Sequence, residues 1–204
     1  MSAQPVAPLA PIDLLLGEAR SGLDRLTPAE VRCPRGLLVS TLTTHAPTLT
    51  HPHQQVDLAR LVADIAATPT LWRPAVRFDG RERCWTRLDA PPGVDVWVLT
   101  WLTFQGTDLH DHGRAGAAFT GGQGALHEIR PDSTGRLRPR KFTPGVVATV
   151  EPGQVHDVRN ELAEPAVSIH AYSPSLTEMT YYSWAGGRIT PERTVRTDEP
   201  EQDR

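Results

Sequence analysis

His110 and His112 flank a single aspartate in the stretch LHDHGRAGA. In an extended segment side chains alternate between two faces, so these two imidazoles point one way while Asp111 points the other. That is how a strand offers two nitrogen ligands to one metal ion. The pair alone is a weak signal, since a strand end at the surface carries the same pattern. His156 strengthens it, because it follows the Pro-Gly turn EPGQ and begins another short extended run. Neutral imidazole suits iron, zinc, copper or nickel. Three histidines with coordination positions left open form a catalytic rather than a structural donor set.

The other histidines divide by context. Ser168, His170 and Tyr172 share one face of the run SIHAYS by the same two-residue period. The trio reads either as a polar strand edge or, beside a metal, as a hydrogen-bond relay. His45, His51 and His53 stand among prolines and threonines and read as solvated loop residues. His127 alternates with Glu128 on a hairpin strand and reads as a surface or packing residue.

The elements that must position these groups change character along the chain. The first ninety residues read as helix and loop. Val56, Leu58, Leu61, Val62 and Ile65 recur at helical spacing within 54–69, and Pro69 stops that helix. A weaker helical pattern runs from Ile12 to Leu26. From VDVWVLTWL onward, β-branched and aromatic runs alternate with Gly/Pro turns. Many short strands with few helices point to a sandwich or a small barrel. The polar stretch 191–204 is expected to be a disordered tail. A chain of 204 residues is long enough for one domain with a sizeable core, here 1–190 with a helical part over about 1–80.

Composition excludes several partners. Charged residues are 22% of the chain, interspersed to a net charge of −3, so there is no basic stripe for nucleic acid. Only Lys141 among the 21 basic residues is lysine, so any single arginine is a weak signal. No apolar run approaches the roughly 20 residues of a spanning helix, and the N-terminal segment lacks the basic start of a signal peptide. Cys33 and Cys84 form no CxxC pair. Two separate thiols fit a reducing cytoplasm better than a disulfide scaffold. We therefore expect a cytoplasmic protein without membrane or nucleic-acid partners.

Taken together, GTDLHDHG, PGQVHDVRN, SIHAYSP and CWTRL resemble the cupins, and among them the type I cysteine dioxygenases. The likeness spans about 80–185. Gly106, His110 and His112 represent the first motif; Gly153, His156 and Asn160 represent the second. The resemblance implies a mainly β fold, a double-stranded β-helix or jelly-roll barrel with N-terminal helices. It implies mononuclear Fe(II) held by His110, His112 and His156, with Arg87 binding a substrate carboxylate and Trp85 beside the substrate. Ser168, His170 and Tyr172 would orient substrate and oxygen without ligating the metal. The implied reaction oxidises the thiol of L-cysteine with O2 to the sulfinic acid. Alternatives are the same chemistry on 3-mercaptopropionate or a bulkier thiol, or a cupin that is not an oxygenase. Members are commonly monomeric.

This sequence departs from the family at several positions. Positions 116–118 read Gly-Ala-Ala, without the glutamate other cupins add after the histidine pair. Three neutral ligands would then leave the ion's charge uncompensated, which favours binding a thiolate. Ala117 replaces the cysteine that animal members join to the tyrosine, leaving Tyr172 a free phenol. Trp85 stands where those members have a tyrosine. Alternation turns Cys84 away from Trp85 and Arg87, as a buried or edge thiol. Gly121 and Gly122 interrupt a barrel strand, which marks either a bulge or a pocket enlarged for a larger thiol.

Overall fold

A computed structural model describes residues 28–32 and 56–200. Among the described residues, the strands in chain order are β1 (Pro28–Arg32), β2 (Trp85–Leu88), β3 (Asp95–Trp101), β4 (Leu109–Asp111), β5 (Gly116–Gln123) and β6 (Leu126–Pro131). They continue with β7 (Leu137–Phe142), β8 (Val147–Val150), β9 (Asp157–Arg159), β10 (Ala166–Ser173), β11 (Glu178–Ala185) and β12 (Arg188–Arg196). One sheet has the order β1-β2-β3-β10-β5-β8. Two three-stranded sheets, β12-β11-β4 and β7-β6-β9, meet through the bridges His110–His156 and Gly106–Arg159. The second layer thus runs β12-β11-β4-β9-β6-β7, and the two layers make a double-stranded β-helix.

The period of two sorts the residues of the larger sheet. Trp97, Leu99 and Trp101 of β3, Ala117 and Phe119 of β5, and Tyr172 of β10 belong to the core inside the barrel. Val96, Val98, Ala118, Val167, Ile169 and Ala171 face the other way, onto a second core. That outer core is closed by helix α1 (Leu58–Ala66), which inserts Val62 and Ile65, both fully buried. Each such aliphatic contributes about 1.5–3 kcal/mol on burial. The expected helix over 54–69 is shorter than its periodicity. Asp57 caps its start by accepting from the Arg60 N–H at 3.0 Å, and Pro69 opens a further one-turn helix, α2 (Pro69–Trp72).

Several expectations are corrected. β1 falls in the stretch read as helix and loop and pairs antiparallel with β2. Residues 191–196, expected in a disordered tail, form the end of β12. They pair with β11, with the Thr180 and Thr194 hydroxyls 3.0 Å apart. Both sides of this edge strand are exposed, so it lacks the apolar alternation by which strands are recognised. Cys84 is buried and disulfide-bonded, not a free thiol, which removes the argument for a reducing compartment; its partner lies outside the described residues. No helix of the described residues is long and apolar enough to cross a membrane. His45, His51, His53 and the pattern from Ile12 to Leu26 also lie outside the described residues.

The glycine pair is a bulge. The β10–β5 register jumps so that Val167 faces Gln123 and Ser168 faces Gly121, leaving Gly122 without a partner. A Cβ on Gly122 would stand 2.9 Å from Ile169 Cδ1 and 3.1 Å from Trp72 Cζ2. One on Gly121 would stand 3.0 Å from the Pro144 nitrogen. Neighbouring atoms fill the space beside both glycines, so they do not enlarge a pocket. Gly122→Ala is expected to overpack this junction and cost about 1–3 kcal/mol, read by urea denaturation against the wild type. Unchanged stability would show that Ile169 and Trp72 yield freely.

Candidate metal centre

His110 lies in β4 and His156 immediately precedes β9. The His110 N–H donates to the His156 carbonyl at 2.8 Å, and the His156 N–H donates back at 2.9 Å. A pair that exchanges both bonds projects its side chains to the same side of the sheet. His112 follows one pleat later. All three histidines are buried, and their ring centroids are 4.8–5.0 Å apart, a nearly equilateral triangle.

The ring nitrogens facing one another are Nε2 atoms. His110 Nε2 is 3.2 Å from His112 Nε2, and His156 Nε2 is 3.4 Å from it. The far nitrogens of two rings have acceptors. His110 Nδ1–H donates to the Asp108 carbonyl at 2.8 Å, and His156 Nδ1–H to Glu128 Oε1 at 3.0 Å. Those partners fix the tautomers and leave the Nε2 lone pairs pointing inward. Nitrogens bound about 2.1 Å from one ion, at tetrahedral or octahedral angles, stand about 3.0–3.4 Å apart. The donor set therefore fits a single divalent ion of the imidazole-binding kind.

Glu128 was not recognised from sequence. It is 1% exposed, accepts from Arg130 Nε at 2.7 Å as well as from His156, and burial pushes its pKa up while Arg130 opposes the shift. Arg130 is itself braced by the Gln154 side chain and the Thr149 carbonyl. A carboxylate thus stands one imidazole away from the ligand nitrogens, its charge balanced by Arg130. The available signal was the two-residue period that puts Glu128 and Arg130 on the face of buried Leu126. On the outer side of the histidine pair, Asp111 accepts from the Gly113 N–H at 2.9 Å and from the Tyr182 hydroxyl at 2.6 Å. Burial, with that bond to Asp111, pushes the Tyr182 phenol up to about 12.

The remaining expected residues line the same interior. Ser168 and His170 are joined by a 2.8 Å contact from Oγ to Nε2, and Trp101 Nε1–H donates to the same Oγ at 2.8 Å. Because indole is a donor only, it claims a lone pair of the serine. Phe119 stacks on His170 at 5.0 Å. The Tyr172 ring sits edge-on to His112 at 4.9 Å, and Ala117 is its direct partner on β5. Trp85 packs edge-to-face on Trp97 at 5.1 Å. Arg87 is half-buried, lies over the Trp97 ring and is ion-paired to the buried Asp95. Arg83, also missed, is a buried guanidinium over the Trp101 ring at 4.4 Å. His127 is half-buried with Nδ1 3.3 Å from a Glu161 carboxylate oxygen, apart from the three ligands. A cleft of about 540 Å³ opens beside Asp108, Asp157 and Trp184, but none of the three histidines lines it.

The sequence profile of the family described as cysteine dioxygenase type I matches residues 48–185. The chain belongs to that family. No curated protein sequence matches it. Among solved structures it is similar to a Klebsiella pneumoniae protein with a double-stranded β-helix domain, at 18% identity and TM-score 0.43, covering 58% of this chain and 90% of that one. A cupin superfamily protein from Desulfitobacterium hafniense is similar at 9% identity and TM-score 0.43, over 50% of this chain and 86% of that one. Bacillus subtilis oxalate decarboxylase, a Mn(II) protein, is similar at 16% identity and TM-score 0.44, over 51% of this chain and 29% of its own. For a member of the cysteine dioxygenase family, Glu128→Gln is expected to weaken metal affinity about 10- to 100-fold. Metal retained during dialysis against a graded chelator measures it, and wild-type retention would remove Glu128 from the site.

Proposed function

We propose that this protein is a thiol dioxygenase that uses mononuclear Fe(II) and O2 to convert L-cysteine to cysteine sulfinic acid. The observation that carries the reading is the convergence of three buried Nε2 atoms inside a barrel of the cysteine dioxygenase family. Bound by His110, His112 and His156, Fe(II) would supply thiolate binding and oxygen activation. The overall change is R–SH + O2 → R–SO2H. Sulfur gives up the four electrons that O2 takes, so no further reductant is needed.

The chain's own residues divide the remaining work. Arg87 offers guanidinium hydrogens to the substrate carboxylate and stays charged at any working pH. The interior walls of Trp85, Trp97 and Phe119 keep bulk water away from the reacting sulfur. Ser168, held by Trp101, fixes the His170 ring against Phe119, and Tyr172 is placed against His112. Ala117 beside Tyr172 has no sulfur, so the phenol carries no thioether link at that position.

The test is oxygen uptake by anaerobically iron-loaded protein given L-cysteine, with product mass recorded. The expected product carries two added oxygen atoms; the activity disappears in His112→Ala and falls in Arg87→Ala. A protein that takes up no oxygen with L-cysteine or with other carboxylate-bearing thiols would contradict the reading.

A further inference from the structure

Arg87 does not meet a substrate alone. Its Nη2 is ion-paired to Asp95 Oδ1; the Arg87 side chain is 43% exposed and that of Asp95 1%. The second carboxylate oxygen of Asp95 accepts the Leu176 N–H at 2.8 Å, so each oxygen has a partner. Register explains the contact. Arg87 lies opposite Trp97 on β3, and Asp95 is the next residue along β3 on the same inward face. Across the other edge of β3, Asp95 lies opposite Tyr172, whose ring touches His112. Tyr172 is thus both the strand neighbour of Asp95 and a ring contact of one histidine of the triangle.

The Asp95 carboxylate, itself buried, offsets the charge of the guanidinium it is paired with. Among the described residues, Arg83 stacks at the opposite end of β3 over Trp101, six residues or roughly 20 Å from Asp95, too far to replace the lost charge, and Arg130 is taken up by Glu128. A substrate carboxylate at Arg87 then gains hydrogen bonds but little net Coulomb attraction, and it must approach the Asp95 charge. A neutral carboxamide or ester carbonyl accepts from the same guanidinium hydrogens without that repulsion. Half-exposure of Arg87 also leaves room at the barrel mouth for whatever follows the carbonyl.

We propose that Asp95 is a specificity-determining residue: by neutralising Arg87 it relaxes the demand for a free carboxylate. The site then takes aminothiols whose carboxyl group is an amide or ester alongside L-cysteine. This rests on the thiol dioxygenase reading above. Asparagine at position 95 keeps one oxygen to accept the Leu176 N–H and removes the charge, while its amide NH2 cannot accept from Arg87; Asp95→Asn therefore releases the guanidinium and is the direct test.

The readout is the ratio of kcat/KM for L-cysteine to that for L-cysteine amide, in which effects on metal content and folded fraction cancel. The wild-type ratio is expected to be below about tenfold, and Asp95→Asn to raise it by about tenfold or more as the Arg87 charge is uncovered. A wild-type ratio above about a hundredfold overturns the proposal without any variant, as does an unchanged ratio in a folded Asp95→Asn protein. Oxidation of L-cysteine alone sinks this inference and leaves the dioxygenase reading standing. Oxidation of neither thiol removes this inference and L-cysteine as the substrate.

Discussion

Two backbone hydrogen bonds between His110 and His156 tie together segments that are distant along the chain, and the centre is built around them. A residue pair of that kind stands about 5.5 Å apart at Cα, with both side chains on one face. The imidazoles then need no loop flexibility to converge; they are aimed by the sheet. The surrounding sequence protects this register. Gly106 is a glycine because a Cβ there would lie 2.8 Å from Arg159 Cβ, on the adjoining bridge of the same two segments. Thr107 both donates its backbone N–H to the Val158 carbonyl and accepts from the Val158 N–H through its hydroxyl.

Around that register, charge is arranged in compensated pairs one layer out from the histidines. Glu128 with Arg130 stands behind His156, and Asp95 with Arg87 stands on the strands beside Tyr172. Each carboxylate is 1% exposed. An unpaired buried charge is costly, whereas a paired and hydrogen-bonded one can be kept. The pairs therefore let charge sit close to a metal ion without exposing the interior to water. The histidine pair is braced on its outer side as well, by Asp111 between Gly113 and Tyr182.

Much of this was legible in the sequence where it depends on local period. Alternation alone put His110 with His112 and Ser168 with His170 and Tyr172, and helical spacing placed Val62 and Ile65 on one face. Pairings across strands were not legible, because they depend on register. Nothing local links Glu128 to His156 or Asp95 to Arg87; each contact exists only once strands have been laid side by side. The bulge at Gly122 shows how much this matters, since one extra residue shifts what Ser168 faces. Backbone acceptors such as the Asp108 carbonyl carry no side-chain signature. β12 escaped recognition because an exposed edge strand has no apolar face to betray it.

The central claim is that three inward Nε2 atoms bind one ion. Anomalous difference density at the iron edge, from crystals of iron-loaded protein, tests it most directly. The expected result is a single peak about 2 Å from Nε2 of His110, His112 and His156, the usual metal–imidazole distance, with His156 Nδ1 still on Glu128. A peak elsewhere, or none between the three rings in protein shown to retain iron, would contradict the account.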